Sequence, residues 1–280
     1  MEKITFVNLD VTELTIVFTH CLPFIAKTRL IENMQINKYI YSFSYENPES
    51  ELCKLESRYI FNKEEKNRLL VSDIKVEPSN SAFIKSRLDV ISLSEDYATL
   101  INKIKKENIC IEGFKVEYLV FDRDTTEYRE RLNKLKDIGW SIEGIPDYYN
   151  PIITYALCYY EGIWYFGILT KDHFAWHQHK KKPHSYSNSI SISIAKALVN
   201  IAAKANKEKK LLDACCGVGT IMLEACFSGN NIEGCDINEK ICKDARENLS
   251  HFNYTANVYH SDIKDISKRY EAAIIDLPYN

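Results

Sequence analysis

The residues best placed to do chemistry sit in the C-terminal part of the chain. Four acids, Asp213, Asp236, Asp262 and Asp276, each stand at or just past the end of a short strand-like run. After the first comes Ala214-Cys215-Cys216-Gly217-Val218-Gly219-Thr220, then an apolar segment from Ile221. A strand, a tight turn and a helix in that order make a cradle for a nucleotide-like ligand. The turn needs glycine, because positive φ and close backbone approach both exclude a Cβ. A dinucleotide fingerprint would require a third glycine where Met222 stands, and no G-K-[ST] of a Walker loop follows. No pyrophosphate grip is visible, so the expected ligand is held through its adenosine without phosphates. Asp236, about twenty residues past the turn, is placed to accept both ribose hydroxyls. Asp262, at the next strand end, can accept from the adenine amino group. One such acid means little, since surface acids cap helices everywhere; the ordered set carries the reading.

These residues work together only if the elements between them set strand ends side by side. Runs of strand length at 211–214, 232–235, 257–260 and 272–275 alternate with helical segments at 219–227 and 238–251. Repeating β-α units predict a parallel sheet with helices on its faces. A further helix, with Ile194, Ala195, Leu198, Ile201 and Ala202 at helical spacing, precedes them.

The earlier residues read as mixed α+β. Strands are expected at 3–7, 15–18, 39–45 and 114–120, with extended chain over 81–92. Asn47-Pro48-Glu49 opens a helix carrying Leu52, Leu55 and Tyr59. Ser94-Glu95 opens another, and Asp124-Thr125 caps a third whose stripe is Tyr128, Leu132, Leu135 and Ile138. Runs 152–160 and 163–169 form a hairpin through Glu161-Gly162. Its aromatics (Tyr155, Tyr159, Tyr160, Trp164, Tyr165, Phe166) can stack RNA bases, but strand spacing favours core packing for half of them. Residues 171–184 carry His173, His177, His179 and His184 beside Lys180, Lys181 and Lys182. No metal centre is expected there: the run holds no cysteine, its one acid is Asp172, and the lysines repel a dication. A solvated basic linker and a nucleic-acid or cofactor contact both remain open. The expected domains are 1–170, a linker at 171–190, and 191–280.

Composition excludes little. With 280 residues, 45% hydrophobic and 27% charged, the chain suits two ordinary globular domains. No apolar run reaches the roughly 20 residues of a membrane span, and no secretory leader pattern opens the sequence, so a cytoplasmic protein is expected. Nine scattered cysteines, several in apolar runs (Cys158, Cys226, Cys242), fit a reducing compartment. The net charge of −3 neither announces nor excludes a nucleic-acid partner.

The acids, the glycine turn and Asp276-Leu277-Pro278-Tyr279 together resemble the class I S-adenosylmethionine-dependent methyltransferases. The last four residues are similar to the [D/N]-P-P-Y signature of enzymes that methylate exocyclic amino nitrogens of nucleobases, with Leu277 in place of the first proline. Lys182-Pro183-His184-Ser185-Tyr186-Ser187 and the helix Ala195-Lys196-Ala197-Leu198-Val199-Asn200-Ile201-Ala202 narrow the resemblance to the THUMP-associated tRNA guanine-N2 methyltransferases. It covers 182–279 well and the first 170 residues weakly. The resemblance implies a Rossmann-like methyltransferase domain behind a THUMP-like RNA-binding domain, S-adenosylmethionine as cofactor, and RNA, in particular tRNA, as partner. It assigns cofactor contacts to Asp213 (amino-acid end), Gly217, Gly219, Thr220, Asp236, Ile237, Asp262 and Ser187. It assigns catalysis to Asp276, accepting from the target amine, Pro278, stiffening the loop, and Tyr279, stacking the base. A DNA amino-methyltransferase shares the signature, and a non-catalytic cofactor- or RNA-binding remnant is the other rival. The sheet of this class has seven strands and about four are counted, so an incomplete domain is expected, its last strand open to self-association.

Overall fold

The computed structural model describes residues 36–187, 189–204 and 206–276. The strands expected at 3–7 and 15–18, and Leu277, Pro278 and Tyr279 of the terminal signature, lie outside the described residues. The described residues form two compact units, one built on 88–169 and the other joining 38–87 to the segment from 170 onward. Residues 38–87 therefore group with the C-terminal segment, well before the expected boundary at 170.

In the first unit, β4 (Phe114–Tyr118) pairs in parallel with β5 (Ile153–Tyr160), which pairs antiparallel with β6 (Ile163–Lys171). The hairpin turns at Glu161 (φ +48°) and Gly162 (φ +82°), where two consecutive left-handed residues match the twist of the flanking strands. Helices α2 (Tyr97–Lys106) and α3 (Tyr128–Gly139) are also in this unit, and its core joins Leu100 and Ile104 to Phe114, Ile138, Tyr155 and Phe166. Of the hairpin aromatics, Tyr155, Tyr160, Trp164, Tyr165 and Phe166 are buried, so core packing prevails over base stacking. The α3 stripe is only half employed: Ile138 is buried, while Tyr128 and Leu132 face solvent. Its N-cap is Glu127; Asp124 instead accepts the Thr126 N–H just upstream.

The second unit begins with the antiparallel pair β1 (Tyr39–Phe43) and β2 (Leu69–Ser72), joined through α1 (Ser50–Phe61), followed by β3 (Ile84–Ser94), inside which the unit boundary falls. Helix α1 packs against α4 (Ile192–Ala203). Beyond α4 the expected alternation holds: β7 (Lys210–Asp213), α5 (Thr220–Phe227), β8 (Asn231–Asp236), α6 (Glu239–His251), β9 (Asn257–His260), β10 (Ala272–Ile274). The four strands are parallel in the order β10-β7-β8-β9. This places the order reversal beside β7, where ligands settle in open α/β sheets. Helices α4, α5 and α6 contribute Val199, Met222, Ala225, Cys242 and Leu249 to one core with Leu211, Ile232 and Val258. No helix among the described residues is long and apolar enough to cross a membrane.

The segment 171–184 is no solvated linker. Asp172 accepts the Phe174 N–H at 2.9 Å and the buried Trp176 indole N–H at 3.3 Å. A short 3-10 helix, Ala175–Lys181, then buries His179 completely. Its Nδ1 donates to Glu224 Oε1 at 2.6 Å and its Nε2 meets the Tyr254 hydroxyl at 3.1 Å. The other Glu224 oxygen faces the buried Lys196 Nζ at 3.4 Å. Among the described residues no three His, Cys, Asp or Glu side chains converge as a metal site.

Candidate active site

A cavity of about 460 Å³ opens at the carboxyl ends of the parallel strands, within the size range of small-molecule sites. Its floor is the turn Ala214 to Val218, followed by Thr220 and Ile221 at the start of α5. Asp236, Ile237 and Ile241 form one wall, Ser261, Asp262 and Ile263 another, and Asp276 closes the third side. Tyr186, Ser189 and Ile190, from the strap that follows the 3-10 helix, complete the lining.

The glycines do what the sequence requires of them. Gly217 (φ +51°) faces open space, so the cavity is widest where a Cβ would stand. Gly219 (φ +81°) is the N-cap of α5, and a Cβ there would come within 3.4 Å of Ala245. Asp236 holds the turn in place: its Oδ2 accepts the Gly217 N–H at 3.1 Å and its Oδ1 the Asn238 N–H at 2.9 Å. Each carboxylate oxygen keeps a second lone pair for a ligand hydroxyl. Asp262 accepts the Lys264 N–H at 3.0 Å, and this bond and the paired ammonium hold its carboxyl below the usual range.

Asp213 is the electrostatic centre. It lies wholly buried behind the floor, and among the described residues neither carboxyl oxygen has a hydrogen-bond partner. Burial, reinforced by the charges of Asp236 and Asp276, pushes its pKa up to about 8. The Thr220 hydroxyl, also buried and at the cavity wall, is likewise unpartnered. These two buried polar groups, at the end of β7 and the start of α5, flank the turn that forms the cavity floor and leave it polar groups to spare for a ligand.

Of the residues expected from sequence, Gly217, Thr220, Asp236, Ile237, Asp262 and Asp276 come together on the cavity. Asp213, Gly219 and Ser187 stand outside its lining. Tyr186 and Ser189, which flank Ser187, come to the cavity in its place, while sequence reasoning passed over Ile190, Cys215, Ile241 and Ile263. Ile263 directly follows Asp262 and Ile241 lies five residues past Asp236, so nearness to the acids was the available signal.

Three acids line the cavity, a fourth lies behind it, and no lysine or arginine is among the lining residues. Such a field repels phosphates and attracts cations. S-adenosylmethionine, which carries a sulfonium and an ammonium group and no phosphate, fits this donor set. The fold and site are those of an α/β domain with a cofactor-sized cavity at the carboxyl ends of its parallel strands. Residues 180–280 match the family model described as RMKL-like, methyltransferase domain. A stretch of 116 residues is 32% identical to the tRNA (guanine(10)-N2)-dimethyltransferase of Methanothermobacter thermautotrophicus, covering 40% of this chain and 34% of that protein. The chain thus spans about a third of the length of that relative. Among solved structures, TrmN from Thermus thermophilus is 12% identical over 87% of this chain and 80% of its own, with a TM-score of 0.42. A structure named as a predicted N6-adenine-specific DNA methylase from Listeria monocytogenes is 13% identical over 85% and 78%, with a TM-score of 0.36. Overlaps this loose carry no weight for function.

Proposed function

We propose that this chain is an S-adenosylmethionine-dependent methyltransferase acting on an exocyclic amino nitrogen of a nucleobase, guanine N2 in tRNA. The observation that carries the reading is the cavity at the strand ends, lined by Asp236, Asp262 and Asp276 and free of lysine and arginine. The similarity of 116 residues of this chain to a tRNA (guanine(10)-N2)-dimethyltransferase supports the choice of target.

The cofactor, when bound, supplies a methyl group on a sulfonium that is already a good leaving group. Asp236 would hold the ribose hydroxyls, and Ile237 and Ile263 offer apolar walls for a planar base. The orphaned Thr220 hydroxyl and the ionised Asp213 carboxylate would receive the amino-acid end. Asp276 would accept one N–H of the target amine. That bond withdraws the amine lone pair from conjugation with the purine ring and takes up positive charge as it develops on nitrogen. Pro278 and Tyr279, next in the chain, would stiffen the loop and stack the flipped base. Positioning does most of the work, since no strong acid or base is required. The first unit and the remaining surface lysines would contact RNA phosphates.

Incubation with S-[methyl-³H]adenosylmethionine and separate pools of bulk tRNA and duplex DNA tests the reading. Label in tRNA is expected; label confined to DNA would overturn it in favour of a DNA amino-methyltransferase.

A further inference from the structure

We propose that Asn248 is a positioning residue of the cofactor site, clamping the strap and the glycine turn to each other from behind the cavity. The inference rests on the reading of that cavity as the S-adenosylmethionine site. Asn248 lies on α6, is completely buried and does not touch the cavity itself. Its amide is fully employed. Oδ1 accepts the His184 N–H at 2.9 Å, while Nδ2 donates to the His184 carbonyl and to the Val218 carbonyl, both at 2.9 Å.

The geometry has a specific consequence. An amide that both accepts from and donates to one residue's backbone fixes that residue as a neighbouring strand would. His184 lies two residues before Tyr186, the first of the strap residues on the cavity, and among the described residues of 182–190 no regular element holds the strap. Val218 belongs to the turn that forms the cavity floor. One buried side chain therefore ties two facing parts of the lining together. No other residue type supplies an acceptor and two donors at this reach: Asp has no donor pair, Leu has neither, and Gln is a methylene too long. The His184 side chain adds an exposed contact to Glu247 at 2.6 Å, which is separate from the backbone clamp.

The test uses Asn248→Leu, which keeps the branched shape and removes all three bonds. Asn248→Ala is the second variant. His184→Ala is a control that spares the backbone bonds, and Val258→Ala a control that loosens the same core away from the cavity. Affinity for S-adenosylhomocysteine is measured by calorimetry, the melting temperature without ligand by calorimetric scanning, and hydrogen exchange over 184–190 and 216–220 by mass spectrometry. The expected result is a loss of at least about tenfold in affinity for both Asn248 variants, equivalent to about 1.4 kcal/mol, with faster exchange in both segments. The two controls should bind within about twofold of the wild type. If the wild type binds and the Asn248 variants bind equally well, or if Val258→Ala weakens binding as much, the clamp is refuted. If the wild type itself does not bind, the cofactor reading fails instead.

Discussion

Asp213→Asn probes the buried charge at the centre of the site. The carboxyl, ordinarily near 3.8, is held at about 8 by burial and by Asp236 and Asp276. In the unliganded fold it keeps its proton near neutrality, whereas in the unfolded chain it is ionised above about pH 4. The sign follows. Below pH 4 both states are protonated and the group has no effect on the pH dependence. Between pH 4 and pH 8 the folded state binds one proton more than the unfolded state, so stability falls as pH rises. Above pH 8 the folded carboxyl ionises too and the loss levels off. At ~1.4 kcal/mol per pH unit, on the order of 4 kcal/mol is lost between pH 5 and pH 8. This corresponds to a melting temperature lower by roughly 10 °C for a chain of this size. The amide variant does not titrate, and all other groups are shared. Melting curves of wild type and Asp213→Asn at intervals from pH 5 to pH 9 should therefore converge at the acid end and diverge upward, the variant being the more stable at pH 8. Parallel curves would refute the claim that this carboxyl is neutral in the unliganded fold. The linkage also predicts that a cationic ligand releases a proton on binding at pH 7, whereas the variant releases none; calorimetry in buffers of different ionisation enthalpy measures this.

Other perturbations test the scaffold. A Cβ on Gly234 would strike Met222 Sδ and come within 3.0 Å of Cys216 Cβ, so Gly234→Ala should cost about 1–3 kcal/mol in urea unfolding. Met222→Ala should recover part of that loss. Removing the buried Lys196 ammonium leaves the Glu224 oxygen that faces it without its cation, with only His179 on the other oxygen, so Lys196→Met should cost about 3–5 kcal/mol. Adding Glu224→Gln to it should cost less than the sum of the two single changes, measured in the same unfolding experiment.

The parallel half of the fold was legible because local signals there agree with the global arrangement. The acids at 213, 236 and 262 end strands whose neighbours are one crossover away, so spacing in sequence is nearly spacing in space. The glycine turn announces itself because only glycine takes its left-handed positions without strain. What stayed hidden depends on partners far along the chain. His179 finds Glu224 across 45 residues and Tyr254 across 75, so a basic, histidine-rich stretch reads as a solvated linker while it is in fact buried. Glu56 on α1 accepts from Asn200 on α4 at 2.6 Å, across 144 residues, which binds residues 38–87 to the C-terminal part of the same unit with no local trace. Periodicity also names a face without naming what covers it: Ile138 on α3 is buried, and Tyr128 on the same stripe is not. Gly234 looks like a flaw in a strand until Met222 is seen against it.

The account turns on the atom that receives the methyl group. Bulk tRNA incubated with the wild-type chain and S-adenosylmethionine, then digested and resolved by mass spectrometry, should yield N2-methylated guanosine. With Asp276→Ala its rate of formation should fall about 10²–10³-fold, the scale of losing one preorganised polar contact to the reacting group. Methyl groups found on another nucleoside, or an undiminished rate in the variant, would contradict it.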